Sequence, residues 1–191
     1  MCFITKWDIL LNHQDLSNNY SRLFHISEEP GIHLFEPRPS PSHFDDIKGD
    51  VVFAITDDLL HNYLLPRDCP RVTWYAGAKT NQADKKRFVG NSAANYIVVV
   101  ESGWYQRIKE TTLYCYEFPA ENFTLIDECA GYYISYNPIV PISIKSINDI
   151  MAELLKRNIE LHFTSSLIQL ADAVSKSTLN FSLIRMRNAK N

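Results

Sequence analysis

What most constrains this chain is a series of short apolar runs, β-branched and aromatic, each closed off by proline, glycine or acidic residues. Val51-Val52-Phe53-Ala54-Ile55 and Ile97-Val98-Val99-Val100 are continuous and of strand length, the pattern of strands covered on both faces. Leu23-Phe24-His25-Ile26-Ser27 is a further β-prone run that alternates at its end, and Ser27-Glu28-Glu29-Pro30-Gly31 closes it as a turn. Residues 32–35 fit a second short extended piece, whereas residues 37–43 carry three alternating prolines and read as an extended loop. Val72-Thr73-Trp74-Tyr75 and residues 113–118 read as strands. Phe123-Thr124-Leu125-Ile126 and Tyr132-Tyr133-Ile134-Ser135 read as a strand pair joined around Ala130-Gly131. Pro138 and Pro141 end this β-rich stretch.

Helical signals are shorter and peripheral. Thr56-Asp57-Asp58 offers an N-cap with first-turn acids, and the helix it opens runs through Tyr63 and stops before Pro66. Residues 76–92 are polar, a loop or surface helix, and residues 103–109 fit a helical turn. Ser146 is the expected cap of a helix whose apolar face is Ile147, Ile150, Leu154 and Leu155. Residues 159–163 alternate as an edge or half-buried strand. Ser165 is the expected cap of a helix to about residue 175 with Leu167, Leu170, Ala171 and Val174 on one side, and residues 181–186 close with apolar–basic alternation. The expected fold is α+β: an N-terminal extension over residues 1–20, then one β-rich globular domain over 21–191 with peripheral helices.

Composition agrees with a globular domain and removes several functions. The 191 residues are 46% hydrophobic and 21% charged, with a formal net charge of −3, so a globally basic nucleic-acid binder is disfavoured. With 6 Gly and neither G-x-G-x-x-G nor G-x-x-x-x-G-K-[ST], Rossmann and P-loop readings lack a motif. Cys2, Cys69, Cys115 and Cys129 lie far apart without a C-x-x-C pair, which points to reduced thiols and a cytoplasmic setting. No apolar run approaches the roughly 20 residues that span a bilayer, so no membrane partner is expected.

Three segments concentrate reactive groups. His25 lies on the first strand, where an imidazole can orient a ligand or move a proton; its alternative is a histidine donating to a neighbouring carbonyl. Arg38 stands between Pro37 and Pro39, whose restricted backbone lowers the entropy cost of holding an anion; its alternative is a surface pair with Glu36. Leu65-Pro66-Arg67-Asp68-Cys69-Pro70-Arg71 sets two guanidiniums, an acid and a thiol on a stiff loop. Arginine forks suit phosphate and carboxylate oxygens. Asp68 would alternatively tie these arginines into an ion-pair corner, and Cys69 is either a nucleophile or a buried, inert thiol. His25, His33, His43 and His61 match no metal-ligand spacing, and no metal is expected. Asp57 and Asp58 fit helix capping better than a carboxylate dyad, as adjacent side chains diverge; Asp45 and Asp46 fail as a dyad for the same reason. Trp74, Trp104 and Tyr133 read as core before they read as base-stacking residues.

Leu23-Phe24-His25-Ile26-Ser27-Glu28, Phe35-Glu36-Pro37-Arg38, the Leu65 to Arg71 loop and the closing Phe181-Ser182-Leu183-Ile184-Arg185-Met186-Arg187-Asn188-Ala189 resemble a bacterial family of unknown function over roughly residues 22–190. The opening histidine strand is also similar to the first motif of ADP-ribosyltransferases, and residues 51–63 to their second, a strand followed by a helix bearing an aromatic. That resemblance implies split β-sheets and NAD as cofactor, with His25 gripping the ribose and Tyr63 against the nicotinamide. The late-strand glutamate of such transferases has no counterpart in Gly131-Tyr132-Tyr133-Ile134-Ser135; Glu128 stands nearby. RNA 2′-phosphotransferases, which resemble the chain in relying on histidine and arginines, work without that glutamate.

The expected function is therefore a nucleotide- or NAD-binding enzyme of ADP-ribosyltransferase-like type. His25, Arg67 and Arg71 carry the chemistry, and Arg38, Tyr63, Asp68 and Cys69 contact the ligand, a nucleotide, another anion or an RNA end. The alternatives are a non-catalytic binding module for a phosphorylated or carboxylate ligand and a structural domain.

Overall fold

Two β-sheets, of six and four strands, carry the architecture, together with several short helices. The computed structural model describes residues 22–40, 47–127 and 130–190. The extension over 1–20 and the candidates His43, Asp45, Asp46, Cys2, Cys129 and Glu128 lie outside the described residues. The α+β class expected from the pattern of runs is the class observed. The described residues form two compact units, those up to residue 60 with 114–145 and those of 61–113 with 146 onward, so the chain passes through each twice.

The six-stranded sheet runs in the order β6-β7-β2-β1-β5-β8, from β1 (Arg22–Ser27), β2 (Val52–Thr56), β5 (Leu113–Pro119), β6 (Thr124–Asp127), β7 (Tyr132–Ser135) and β8 (Ser143–Ile147). Side chains alternate across a strand, so Leu23, Val52, Ala54, Tyr116 and Phe118 share one face, where Phe35 and Ile139 close the first core. β1 pairs with β5 along its whole length, from Arg22↔Pro119 to Ser27↔Tyr114. With β2 its register holds only Leu23↔Thr56 and Phe24↔Ile55. β6 and β7 pair as expected, turning through Gly131 at φ +62°, where an added Cβ would meet Leu59 Cδ1 at 2.8 Å.

The second sheet runs β10-β3-β4-β9, from β3 (Arg71–Tyr75), β4 (Tyr96–Glu101), β9 (Ile159–Thr164) and β10 (Asn180–Ile184). β9 lies at the edge, parallel to β4, in keeping with its alternation. The short α1 (Gln82–Asp84) continues into a π turn (Lys85–Val89), and α2 (Tyr105–Glu110) follows β4. Helix α4 (Ile168–Ser175) sets Ala171 and Val174, with Leu167 before it, against Val72, Trp74, Ile97 and Val99 to form the second core; Leu170 packs at its margin.

Residues 143–147 depart from expectation. They form β8 on the open edge of β5, entered through Ile142 N–H donating to Glu117 O at 2.8 Å. Ile147 is the buried last residue of that strand and lies outside the helix. Helix α3 (Ile150–Lys156) starts later, with Asp149 Oδ1 accepting from Ala152 N–H at 2.9 Å, and it buries Ile150 and Leu154 while Leu155 faces solvent. The cap expected at Ser165 is not made: α4 starts after Leu167, which makes no side-chain cap bond, and Ser166 Oγ accepts from Ile168 N–H in the turn ahead of it.

Candidate functional site

His25 sits where β1 and β2 stop pairing. Past Phe24↔Ile55 the backbone ladder gives way to a side-chain bond: Nδ1 of His25 donates to Phe53 O at 2.9 Å. That bond puts the ring proton on Nδ1, so Nε2 is the acceptor nitrogen of the neutral imidazole. The half-buried ring packs against Phe35 and Phe118, with centroids 5.0 and 6.0 Å away, which fixes its plane. Arg38 belongs to the same unit. Its backbone brackets the start of β2 through paired bonds with Val51 of 3.1 and 2.9 Å, and its exposed guanidinium has neither Glu36 nor any other partner among the described residues.

The arginine loop belongs to the second unit and divides into a buried base and an exposed tip. Pro66, Cys69, Pro70 and Arg71 are buried; Arg67 and Asp68 are exposed. Cys69 N–H donates to Pro66 O at 2.9 Å to close the turn. Arg71, on the first position of β3, turns its guanidinium back into the loop. Nη1 donates to Cys69 O at 2.9 Å and to Pro66 O at 3.4 Å, with the guanidinium 5.9 Å from the Tyr63 ring centre. Arg71 therefore braces the turn that presents Arg67. The Asp68 carboxylate has no ion-pair partner among the described residues, so the corner is held by carbonyls and not by that acid. Burial pushes the Cys69 thiol up to about 12 despite the nearby Arg71, and Sγ lies 3.6 Å from Pro70 O. A thiol in that state stays protonated near neutral pH, which is the inert reading of this cysteine.

Sequence reasoning missed two parts of this unit. Arg185 Nε donates to Arg67 O at 3.1 Å and Asn188 Nδ2 to Asp68 O at 2.7 Å, so the closing segment clamps the loop tip from outside. Both residues stand in the closing run that carries the family resemblance, and that was the available signal. The second is Glu160 on β9, whose carboxylate accepts from Ser92 Oγ and pairs with His162 Nε2; these two bonds hold its carboxyl below the usual range. Residues 160 and 162 share a strand face, but nothing local announces Ser92. Trp74 and Tyr133 are core, as expected, with Trp74 Nε1 donating to Phe88 O at 3.0 Å. No group of three or more metal-ligating side chains occurs among the described residues. No helix among them is long and apolar enough to cross a membrane.

The fold and these two clusters define an α+β protein with a strand-borne histidine and a braced arginine loop. The model of a family of unknown function, DUF6886, matches residues 24–189, and the chain belongs to that family. No curated protein and no solved structure matches it.

Proposed function

We propose that this protein binds NAD or another phosphorylated nucleotide and acts as a transferase of ADP-ribosyltransferase-like type, its two sheets corresponding to the split sheets of that fold. The observation that carries the reading is the His25–Phe53 bond at the end of the β1–β2 ladder. A backbone carbonyl fixes the tautomer and plane of the imidazole, so Nε2 is pre-set to accept from a ribose hydroxyl. Further support comes from the loop. Arg67 rises from a turn held by Arg71, Arg185 and Asn188, so its guanidinium starts from an anchored backbone when it meets phosphate oxygens. Tyr63 next to Arg71 is the candidate aromatic for the base, and Arg38 a second cation. With no glutamate in residues 131–135, the RNA 2′-phosphotransferase-like form of this chemistry is the favoured one.

The test is thermal stabilisation of the full chain by NAD, ADP-ribose and a 2′-phosphorylated oligoribonucleotide, repeated with His25→Ala and Arg67→Ala. Stabilisation by one of these, lost in both variants, supports the transferase reading. Loss in Arg67→Ala alone identifies a binding module that needs no imidazole. No stabilisation by any of the three overturns the proposal.

A further inference from the structure

Strand β8 ends the six-stranded sheet, and among the described residues no strand lies beyond it. Alternate N–H and C=O groups of its backbone are therefore turned away from β5. Ile144 on the strand is 43% exposed, and Val140 and Ile142 on the run into it are 64% and 65% exposed. Other edges are guarded. β6, at the opposite end of the same sheet, is four residues long and bulged between Leu125 and Asp127, and β9 carries Glu160 and His162 along the edge of the second sheet. β8 carries a single lysine and exposed isoleucine, which makes it a template for another strand.

Charge selects which strand fits. Ser143 Oγ donates to Glu117 Oε2 at 2.9 Å, so Ser143, Lys145 two residues on, and Glu117 share one face of the sheet, with Ile144 on the other. A second β8 laid antiparallel about a two-fold axis normal to the sheet meets the first with residues of the same face opposite each other. Centring that pair on Lys145 opposes two like charges, which is destabilising. Centring it on Ser143 sets Lys145 against Pro141, which has no N–H to give and lies ahead of the strand. Centring it on Ile144 sets isoleucine on isoleucine and each Lys145 opposite Ser143 of the other copy. That lysine then stands two strand spacings, about 10 Å, from Glu117, a gap that the two side chains span. Arg22 holds Glu117 from the β1 side, so the incoming ammonium reaches the carboxylate from the β8 side.

We infer that β8 is a dimerisation edge: two copies of this chain pair β8 antiparallel about Ile144 and join their six-stranded sheets edge to edge. The pairing uses Glu117 and Ser143–Lys145 of the first unit and stands independently of the nucleotide reading. One strand pair buries little surface, so a dissociation constant on the order of 0.1 mM is expected. Sedimentation equilibrium of the full chain from about 10 µM to about 1 mM reads it as a reversible monomer–dimer step. Ile144→Lys puts two charges on the axis at a position exposed in the monomer, so dimer is lost while circular dichroism shows the fold retained. Lys145→Glu brings a carboxylate to Glu117 and weakens dimerisation roughly tenfold. Ile144→Cys forms a 144–144 disulfide between copies on mild oxidation, since paired Cα atoms stand about 4.5–5.5 Å apart, within disulfide reach. A chain still monomeric at about 1 mM assigns the edge to a different partner and overturns the proposal, as does a dimer untouched by Ile144→Lys. A constant unchanged in Lys145→Glu, or Lys145→Cys cross-linking more readily than Ile144→Cys, overturns the pairing about Ile144.

Discussion

Nδ1 of His25 stands 2.9 Å from the carbonyl oxygen of Phe53, on the neighbouring strand, just past the last backbone pair that joins β1 to β2. The side chain thus donates to a β2 carbonyl beyond that last β1–β2 pair. His25→Ala leaves Phe53 O without this donor and is expected to cost about 1 kcal/mol, the net worth of one part-buried hydrogen bond. His25→Asn, with an amide donor, is expected to recover part of it. Chemical denaturation checks the order wild type, Asn, Ala; an alanine variant as stable as wild type would show that the bond is replaced by water.

Arg71 and Asp68 are three residues apart and are expected to behave oppositely. Arg71 is 2% exposed and serves two loop carbonyls, so Arg71→Met removes its donor from Cys69 O and leaves Pro66 O with the Cys69 N–H alone, and is expected to cost about 2–4 kcal/mol. Asp68 is exposed and makes no ion pair among the described residues, so Asp68→Ala should stay within about 0.5 kcal/mol of wild type. Urea midpoints of the two variants decide the matter, and a large loss in Asp68→Ala would restore the ion-pair corner.

The contrast between these two residues marks how far the sequence could be read. The strands from residues 23, 51, 97 and 132 were legible because burial on a pleated surface selects β-branched and aromatic side chains locally. Segment 143–147 was not, because its conformation follows from the open edge of β5, a partner 26 residues away at Glu117. The Arg67 loop was legible as a stiff, charged turn, since proline and arginine carry that information in themselves. Which arginine turns inward was hidden, because it depends on β3 starting at Arg71 and on Arg185 and Asn188 arriving from 118 and 120 residues away.

Cys69 gives a prediction in two pH ranges. Its thiol is fully buried and raised to about 12, chiefly by burial. Iodoacetamide at neutral pH should leave Cys69 unmodified in the folded chain and label it after unfolding, as read by peptide mapping. The alkaline consequence follows from linkage. The unfolded thiol ionises near its ordinary 9.0 while the folded one stays protonated, so its contribution is complete below 9.0 and lost as pH rises toward about 12. Cys69→Ala should therefore flatten the alkaline limb of stability against pH. Rapid native-state labelling would instead assign this thiol a reactive role.

Glu117 sets the acid side. Arg22 reaches it in a two-pronged pair, Nε to Oε1 at 2.7 Å and Nη2 to Oε2 at 3.0 Å, and Ser143 Oγ donates to Oε2 at 2.9 Å. The hydrogen bond from Arg22, with that from Ser143, holds the Glu117 carboxyl below its usual range against the opposing effect of burial. A carboxyl lowered by folding stabilises above its unfolded value and loses that contribution as pH falls through the folded one. Glu117→Gln should therefore lower the melting midpoint by about 1–2 °C at neutral pH, because one exposed arginine limits the effect. The gap should close as both proteins are taken to acid, since protonation makes the wild-type carboxyl as neutral as the amide. Melting curves across the acid range check this, and a gap that persists after Glu117 is protonated would assign its effect to β5–β8 packing and not to charge.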